Sequence, residues 1–370
     1  MDHEEEIRKD MVTSGSGKRK KTVKIICIAI LALVLTATGA LVIYWNSMLD
    51  MIGTARETVP TLSQEEVDAL LGTTDPPETT APEETWPVVV SDQNITNIML
   101  VGQNWREDEQ NKLSDTMILC SINRETKTLT MVSFLRDLYI DLPAYAGHGA
   151  GRNRINVCYA LGSTWKRSSE GGMEMLAKCV EQNFGIPVDH TIEVGFDAFA
   201  NIIDAMGGVD VNVTEAEAEY ITDHVGYAGD MEPGPQTLYG YDALAYARIR
   251  AIDGDRQRTA RQRLVISSLL NKCRDLSFQE LYSLAGAVLP YIITDMTQME
   301  ISNYILEFIP MLKDIQIRTY TCPVDNETLP GSYWGKTIDL YGYMSSVIEC
   351  NTTSNGNFLR EALGIRDAGE

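Results

Sequence analysis

Thr116-Met-Ile-Leu-Cys-Ser-Ile122, Asn123-Arg-Glu-Thr-Lys127 and Thr128-Leu-Thr-Met-Val-Ser-Phe134 follow one another without interruption. Two short apolar runs around a polar turn read as a β-hairpin. Upstream, Asn97-Ile-Met-Leu-Val-Gly102 reads as a buried strand ending in a glycine turn. Downstream the period changes, with Met173, Leu176, Ala177 and Val180 at helical spacing within 170–184. Further helices are expected over 198–206, 241–249, 259–273, 299–312 and 338–349. Further strands are expected over 191–196, 209–213 and 316–321. Interleaved strands and helices imply an α/β layered domain with its sheet covered on both faces.

Polar residues frame the hairpin. Ser114-Asp115-Thr116 stands just before its first strand and Arg136-Asp137 just after its second. If the strands pair, both clusters meet at one end of the sheet, where open α/β sheets bind ligands. Either aspartate taken alone also fits a simple turn residue.

The second concentration of polar chemistry is Tyr246-Ala-Arg-Ile-Arg-Ala-Ile-Asp-Gly-Asp-Arg-Gln-Arg-Thr-Ala-Arg-Gln-Arg263. The chain carries a formal net charge of -21, yet six arginines fall within sixteen residues here, against two aspartates. Guanidinium forks suit phosphate oxygens, so a polyanion or diphosphate site is one reading. A solvated basic face with Asp253 and Asp255 as ion-pair partners is the other. Arg248 and Arg250 differ by two residues and do not share a helix face; Arg258 and Arg261 differ by three and do. Arg256 and Arg263 are expected to be surface charges.

An uncharged, mostly apolar run spans 25–44, behind Lys18-Arg19-Lys20-Lys21 and Lys24. Twenty helical residues span about 30 Å, the thickness of a bilayer core. The basic flank assigns 1–24 to the cytoplasm and the remainder to the outside. A cleaved signal peptide is the alternative, disfavoured because the apolar run continues past Ala40. Residues 45–93 are rich in proline, threonine and acid and read as an extended stalk, with 62–71 as a possible short amphipathic helix. Residues 94–370 then form one domain. Cys322–Cys350 or Cys158–Cys179 could be disulfides, or the cysteines could be buried apolar residues. The histidines show no metal-ligand spacing, and acidity with an outside location excludes nucleic acid as a partner.

Taken in order, these motifs resemble the LytR-CpsA-Psr proteins of Gram-positive cell walls. The resemblance rests on Asn97–Gly102, Ser114-Asp115-Thr116, Ser133-Phe-Leu-Arg136-Asp137 and Arg154-Ile-Asn156 followed by Tyr159-Ala-Leu-Gly162. It continues through Asp204-Ala-Met-Gly-Gly-Val-Asp-Val211, Gly240 to Arg250, Gly254-Asp255 and Arg258 through Gln262. It implies an α/β/α sandwich around a central mixed sheet, preceded by one transmembrane helix, with a polyprenyl phosphate in an apolar tunnel. The implied reaction passes a glycopolymer from undecaprenyl diphosphate to a peptidoglycan hydroxyl, the C6 hydroxyl of N-acetylmuramic acid, at the outer face of the plasma membrane. A pyrophosphatase, or a binding protein for polyprenyl phosphate or glycan, is the alternative. By resemblance, Arg136, Arg248, Arg250, Arg258, Arg261 and Gln262 hold the diphosphate. Arg136, Asp137 and Asp255 act at the reacting centre, and Asp115 ligates Mg²⁺. The chain departs from the family at Gln103, where a second metal-binding aspartate is usual, and at Leu113, where an arginine is usual. A neutral amide is a weaker partner for a hard cation, so magnesium affinity is expected to suffer.

Overall fold

The computed structural model describes residues 44–54, 61–71, 92–103, 113–340 and 343–366. The chain divides into two units, Met1–Met51 and Ile52–Glu370. Within the first, residues 44–49 are helical. The expected membrane segment at 25–44 lies, except for Tyr44, outside the described residues. No described helix is long and apolar enough to cross a membrane.

The second unit starts with β1 (Gly53–Thr54), α1 (Gln64–Leu71), β2 (Ile95–Gln103), β3 (Ser114–Asn123) and β4 (Thr128–Phe134). Next come β5 (Tyr139–Leu142), β6 (Gly151–Arg154), α2 (Cys158–Lys166), α3 (Ser169–Phe184), β7 (His190–Gly195) and α4 (Phe196–Ala205). Then follow β8 (Val209–Val213), α5 (Glu215–His224), β9 (Gly234–Leu238), α6 (Gly240–Arg248), α7 (Asp255–Cys273) and α8 (Phe278–Val288). The chain closes with β10 (Ile293–Thr294), α9 (Gln298–Phe308), β11 (Gln316–Cys322), β12 (Tyr333–Leu340), β13 (Tyr343–Cys350) and α10 (Thr352–Leu363).

Seven strands form one mixed sheet in the order β1-β10-β7-β2-β3-β4-β11. β2 is the middle strand, antiparallel to β3 of the β3–β4 hairpin and parallel to β7, and β11 closes the edge parallel to β4. Alternate residues serve opposite faces, as the two-residue period of a strand requires. Met99, Val101, Met117, Leu119, Val132 and Phe134 join one core with residues of α2 and α3. Ile118, Cys120, Leu129 and Met131 join a second, packed by Ile266 and Leu270 of α7. Helices therefore cover both faces.

Two expectations are corrected. Within the expected helix at 338–349, the described residues 338–340 and 343–349 are strands of the β12–β13 hairpin, which pairs Tyr333 with Cys350 through Leu340 with Tyr343. Short apolar runs fit either period, and the pairing of β12 with β13, with Ile348 bridging Leu138, decides for strand. The stretch read as a stalk is partly built into the domain. Gly53–Thr54 extends the sheet edge beside β10, and Leu62 and Val67 are buried in the α2–α3 core. The Leu62 amide donates to Thr164 Oγ1 at 2.9 Å. Composition disfavours a self-contained core there, but a short helix can dock on one supplied by other elements.

Candidate active site

The registers bring the ends of β2, β4, β7 and β11 and the start of β3 to one end of the sheet. Gln103 pairs with both Ser114 and Gly195, and Phe134 pairs with Cys322. Between Gly102 and Gln103 the ladder slips: Gly102 faces Thr116 and Gln103 faces Ser114. Asp115 is the extra residue of this β-bulge, a device that re-aims a side chain at a strand end. A Cβ on Gly102 would meet Thr116 Cβ at 2.8 Å, so glycine is needed for this close approach.

Around the bulge, aspartates and arginines alternate. Arg136 Nη1 donates to Asp115 Oδ1 at 2.7 Å, and its Nε lies 3.8 Å from Asp137 Oδ2. Asp137 also receives Arg250 Nη2 at 3.1 Å and Arg154 Nη1 at 3.5 Å. Arg258, only 5% exposed, donates to the Asp115 carbonyl at 2.9 Å. Its Nη2 also lies 2.6 Å from Asp255 Oδ1. That contact is close but misaligned, and neither Asp255 oxygen accepts a hydrogen bond among the described residues. The buried Nε groups of Arg136, Arg154 and Arg258 likewise have no acceptor there. Burial raises the Asp137 carboxyl above its ordinary range; Arg136 opposes this and Asp255 adds to it. Burial lowers the Arg258 guanidinium, which Asp255 partly restores.

The helical positions on α7 sort the remaining candidates. Asp255, Arg258 and Gln262 lie on one side, with Gln262 Nε2 3.4 Å from the Ala247 carbonyl and its buried Oε1 unpartnered among the described residues. Arg261 does not join them. Its Nε donates to Glu217 at 2.6 Å and its Nη1 to Asp253 and the Ile249 carbonyl at 3.0 and 3.1 Å. Sharing a helix face was insufficient because α5 supplies a buried carboxylate that captures this guanidinium. Arg256 and Arg263 lie seven apart, two helical turns, and point to the β4–β11 side. Arg263 is no surface charge: it is 8% exposed and donates to Ser133 Oγ at 2.6 Å. Burial, then Arg256, pulls its pKa down to about 10. Arg256 donates to the Pro323 carbonyl at 2.9 Å and stacks on Tyr333 at 4.6 Å. Arg248 stacks on Phe196 at 4.4 Å and donates to Tyr227 Oη at 3.1 Å. Arg154, which the sequence shows only as the start of Arg154-Ile-Asn156, is a direct partner of Asp137.

The residues present do not make a magnesium site on their own. Asp115 Oδ1 is already held by Arg136, and Arg258 Nη1 lies 3.9 Å away. Gln103 is 1% exposed and its amide nitrogen donates to Ser114 Oγ at 3.0 Å. No group of three or more His, Cys, Asp or Glu side chains able to hold a metal occurs among the described residues. A hard dication needs several anionic oxygens, and here the acids face guanidinium groups instead.

An apolar cavity of about 360 Å³ lies on the α7 face of the sheet, between Ile98 and Ile192 below and Leu284, Ile305 and Phe308 above. The six described cysteines are free thiols; Cys158 and Cys179 are fully buried neighbours. Residues 63–345 match the LytR_cpsA_psr family.

The chain belongs to the LytR-CpsA-Psr family.

Among its relatives is the polyisoprenyl-teichoic acid–peptidoglycan teichoic acid transferase TagU of Bacillus subtilis. It is 28% identical over 263 residues, covering 70% of this chain and 73% of TagU. The biofilm regulatory protein A of Streptococcus mutans is 29% identical over 267 residues, covering 66% and 60% of the two chains. The fold is that of protein gbs0355 from Streptococcus agalactiae, with TM-score 0.59 and 25% identity over 75% of this chain and 90% of that one. TagT bound to LI-WTA has the same fold at TM-score 0.57 and 22% identity, over 77% and 98% of the two chains.

Proposed function

We propose that this LytR-CpsA-Psr protein transfers a glycopolymer from a polyprenyl diphosphate carrier to a peptidoglycan hydroxyl. The observation that carries this is the convergence of Arg136, Arg154 and Arg258, two half-buried and one buried, each with a buried Nε lacking an acceptor among the described residues. Buried donors are ordinarily satisfied, and a diphosphate supplies the oxygens this cluster lacks. Teichoic acid, named in the TagU relative, is one anionic polymer of the class. The apolar cavity, lined by Ile98, Ile192, Leu284 and Phe308, suits isoprene units of the carrier.

In the reaction the acceptor hydroxyl oxygen forms a bond to the phosphorus that bears the glycan. The P–O bond to the lipid phosphate breaks, and polyprenyl monophosphate leaves with the electron pair. Arg136, Arg250 and Arg258 neutralise charge on the transferring and leaving phosphates, which is most of what phosphoryl transfer demands. Asp137, whose carboxyl burial raises, accepts the hydroxyl proton. Arg248, Gln262 and Asp255 orient the ligand and the guanidinium forks. The site works at the outer face of the plasma membrane, anchored by the apolar run at 25–44, as the basic flank of that run supports.

The test uses the purified chain with a lipid-linked glycopolymer diphosphate and peptidoglycan. Phosphodiester-linked polymer on peptidoglycan is expected, and Arg136→Ala and Arg258→Ala should each lower its formation at least about 100-fold. Release of free polymer phosphate with no attachment would replace transfer by hydrolysis. Unchanged attachment in both variants would refute the assignment.

A further inference from the structure

Building on the transfer proposed above, we infer that the β12–β13 hairpin, with the β5–β6 ribbon beside it, is the docking surface for the acceptor glycan strand. The hairpin is joined to the site. The Ile348 amide donates to the carbonyl of Asp137 at 2.9 Å, and Ile348 bridges Leu138. Arg256, next to Asp255, stacks on Tyr333 at 4.6 Å.

From Asp137 a continuous row of side chains leads outward. Arg154 contacts Asp137 at 3.5 Å and pairs across the ribbon with Tyr139. Arg152 stacks on Tyr139 at 4.6 Å and lies 3.8 Å from Glu349. Glu349 accepts from Trp334 Nε1 at 2.9 Å and from Lys336 Nζ at 3.0 Å. The indole is held at its nitrogen while the residue stays 48% exposed. Such a ring, flanked by planar polar groups, is what a pyranose requires: an apolar face for its C–H groups and donors and acceptors for its hydroxyl and N-acetyl groups.

Charge selects among occupants. Arg152 and Lys336 are balanced by Asp141, 2.7 Å from Arg152, and by Glu349. Two cations against two anions suit an uncharged sugar backbone better than an anionic donor polymer. Position selects further. Along the sheet order, the apolar cavity lies over β2 and β7 and the arginine cluster at β3 and β4. The hairpin lies on the far side, against β5 and the end of β11. Phosphoryl transfer keeps attacking and leaving oxygens roughly in line. A lipid phosphate leaving toward the cavity therefore requires the hydroxyl to arrive from the hairpin side.

The test measures acceptor KM and kcat with soluble uncrosslinked peptidoglycan fragments. In parallel, it records thermal stabilisation by geranylgeranyl diphosphate as the readout of donor binding. Trp334→Ala should raise acceptor KM roughly tenfold or more and leave kcat and the diphosphate stabilisation unchanged. Trp334→Phe should retain most of the affinity, and Arg152→Ala should weaken it without touching the ring. If Trp334→Ala disturbs the hairpin itself, Arg152→Ala and Lys336→Ala decide. Acceptor KM within twofold of wild type in Trp334→Ala and Arg152→Ala, while Arg136→Ala abolishes transfer, would overturn the docking surface and leave the transferase assignment standing. Undiminished transfer in Arg136→Ala would instead remove the assignment beneath it.

Discussion

Arg261 separates a stabilising ion pair from a ligand-binding one. Its side chain is 7% exposed and that of Glu217 8% exposed, with 2.6 Å between them. Glu217 also closes the capping box of α5 by accepting from the Thr214 amide at 2.8 Å. Arg261→Met removes the guanidinium but leaves the Glu217 carboxylate buried without its cation. Breaking one side of a buried pair costs about 3–5 kcal/mol. A domain is stable by only about 5–15 kcal/mol, so the loss should be plain in urea unfolding at neutral pH, as a lower midpoint with unchanged slope. Adding Glu217→Gln should recover much of it, because glutamine still serves a capping box but carries no charge to bury. Meanwhile geranylgeranyl diphosphate should stabilise Arg261→Met as much as wild type, about 2.7 kcal/mol at a hundredfold excess over Kd. Arg258→Met should lose that increment. An Arg261→Met protein within about 1 kcal/mol of wild type that no longer responds to diphosphate would refute the separation and return Arg261 to the ligand set.

Three further outcomes are expected. Gly162→Ala should destabilise by about 3 kcal/mol in urea unfolding. The new Cβ would lie 2.2 Å from the Gly171 carbonyl oxygen and 2.4 Å from Met175 Cβ, and an unchanged midpoint would show that α2 and α3 can separate freely. Gln103→Asp should lower stability in the absence of metal and make thermal stability respond to Mg²⁺, read by the shift in Tm; a variant as indifferent to Mg²⁺ as wild type would sink this. Asp137 must be ionised to accept a proton, so transfer should fall as pH drops through its folded pKa, raised by burial above the ordinary carboxylate value of about 3.9. Between the unfolded and folded values the native state holds the extra proton, so this group's contribution to stability increases as pH falls across the same window. Arg154 lowers this pKa, so Arg154→Gln should move the acid limb of the rate profile upward; a downward or absent shift would exclude Asp137 as the base.

Much of the site was legible in one dimension because strand ends and helix starts are local events. The Asn97–Gly102 run, the 116–134 hairpin and the arginine segment each announce an element and a polar residue at its end. A hairpin must return its second strand to where its first began, so Ser114-Asp115 and Arg136-Asp137 were bound to meet. The misreadings share one cause. Residues 338–349 carry apolar spacing that fits two periods, and only pairing with β12 and docking on β5 chose strand. Leu62 and Val67 lie in a polar stretch that cannot fold alone, yet they fill a depression provided by α2 and α3.

The sequence by itself determined the layered α/β class, the β3–β4 hairpin and the meeting of aspartates with arginines, because these follow from periodicity and chain continuity. Tertiary structure alone decided which arginines face the site. Six guanidinium groups on neighbouring turns are chemically alike. What distinguishes them is the partner each direction offers: Asp115 and Asp255 for Arg258, Glu217 for Arg261, Ser133 for Arg263. Asp255 lies one turn away on α7 itself, but Asp115, Glu217 and Ser133 come from β3, α5 and β4, and no local rule of spacing could assign those three.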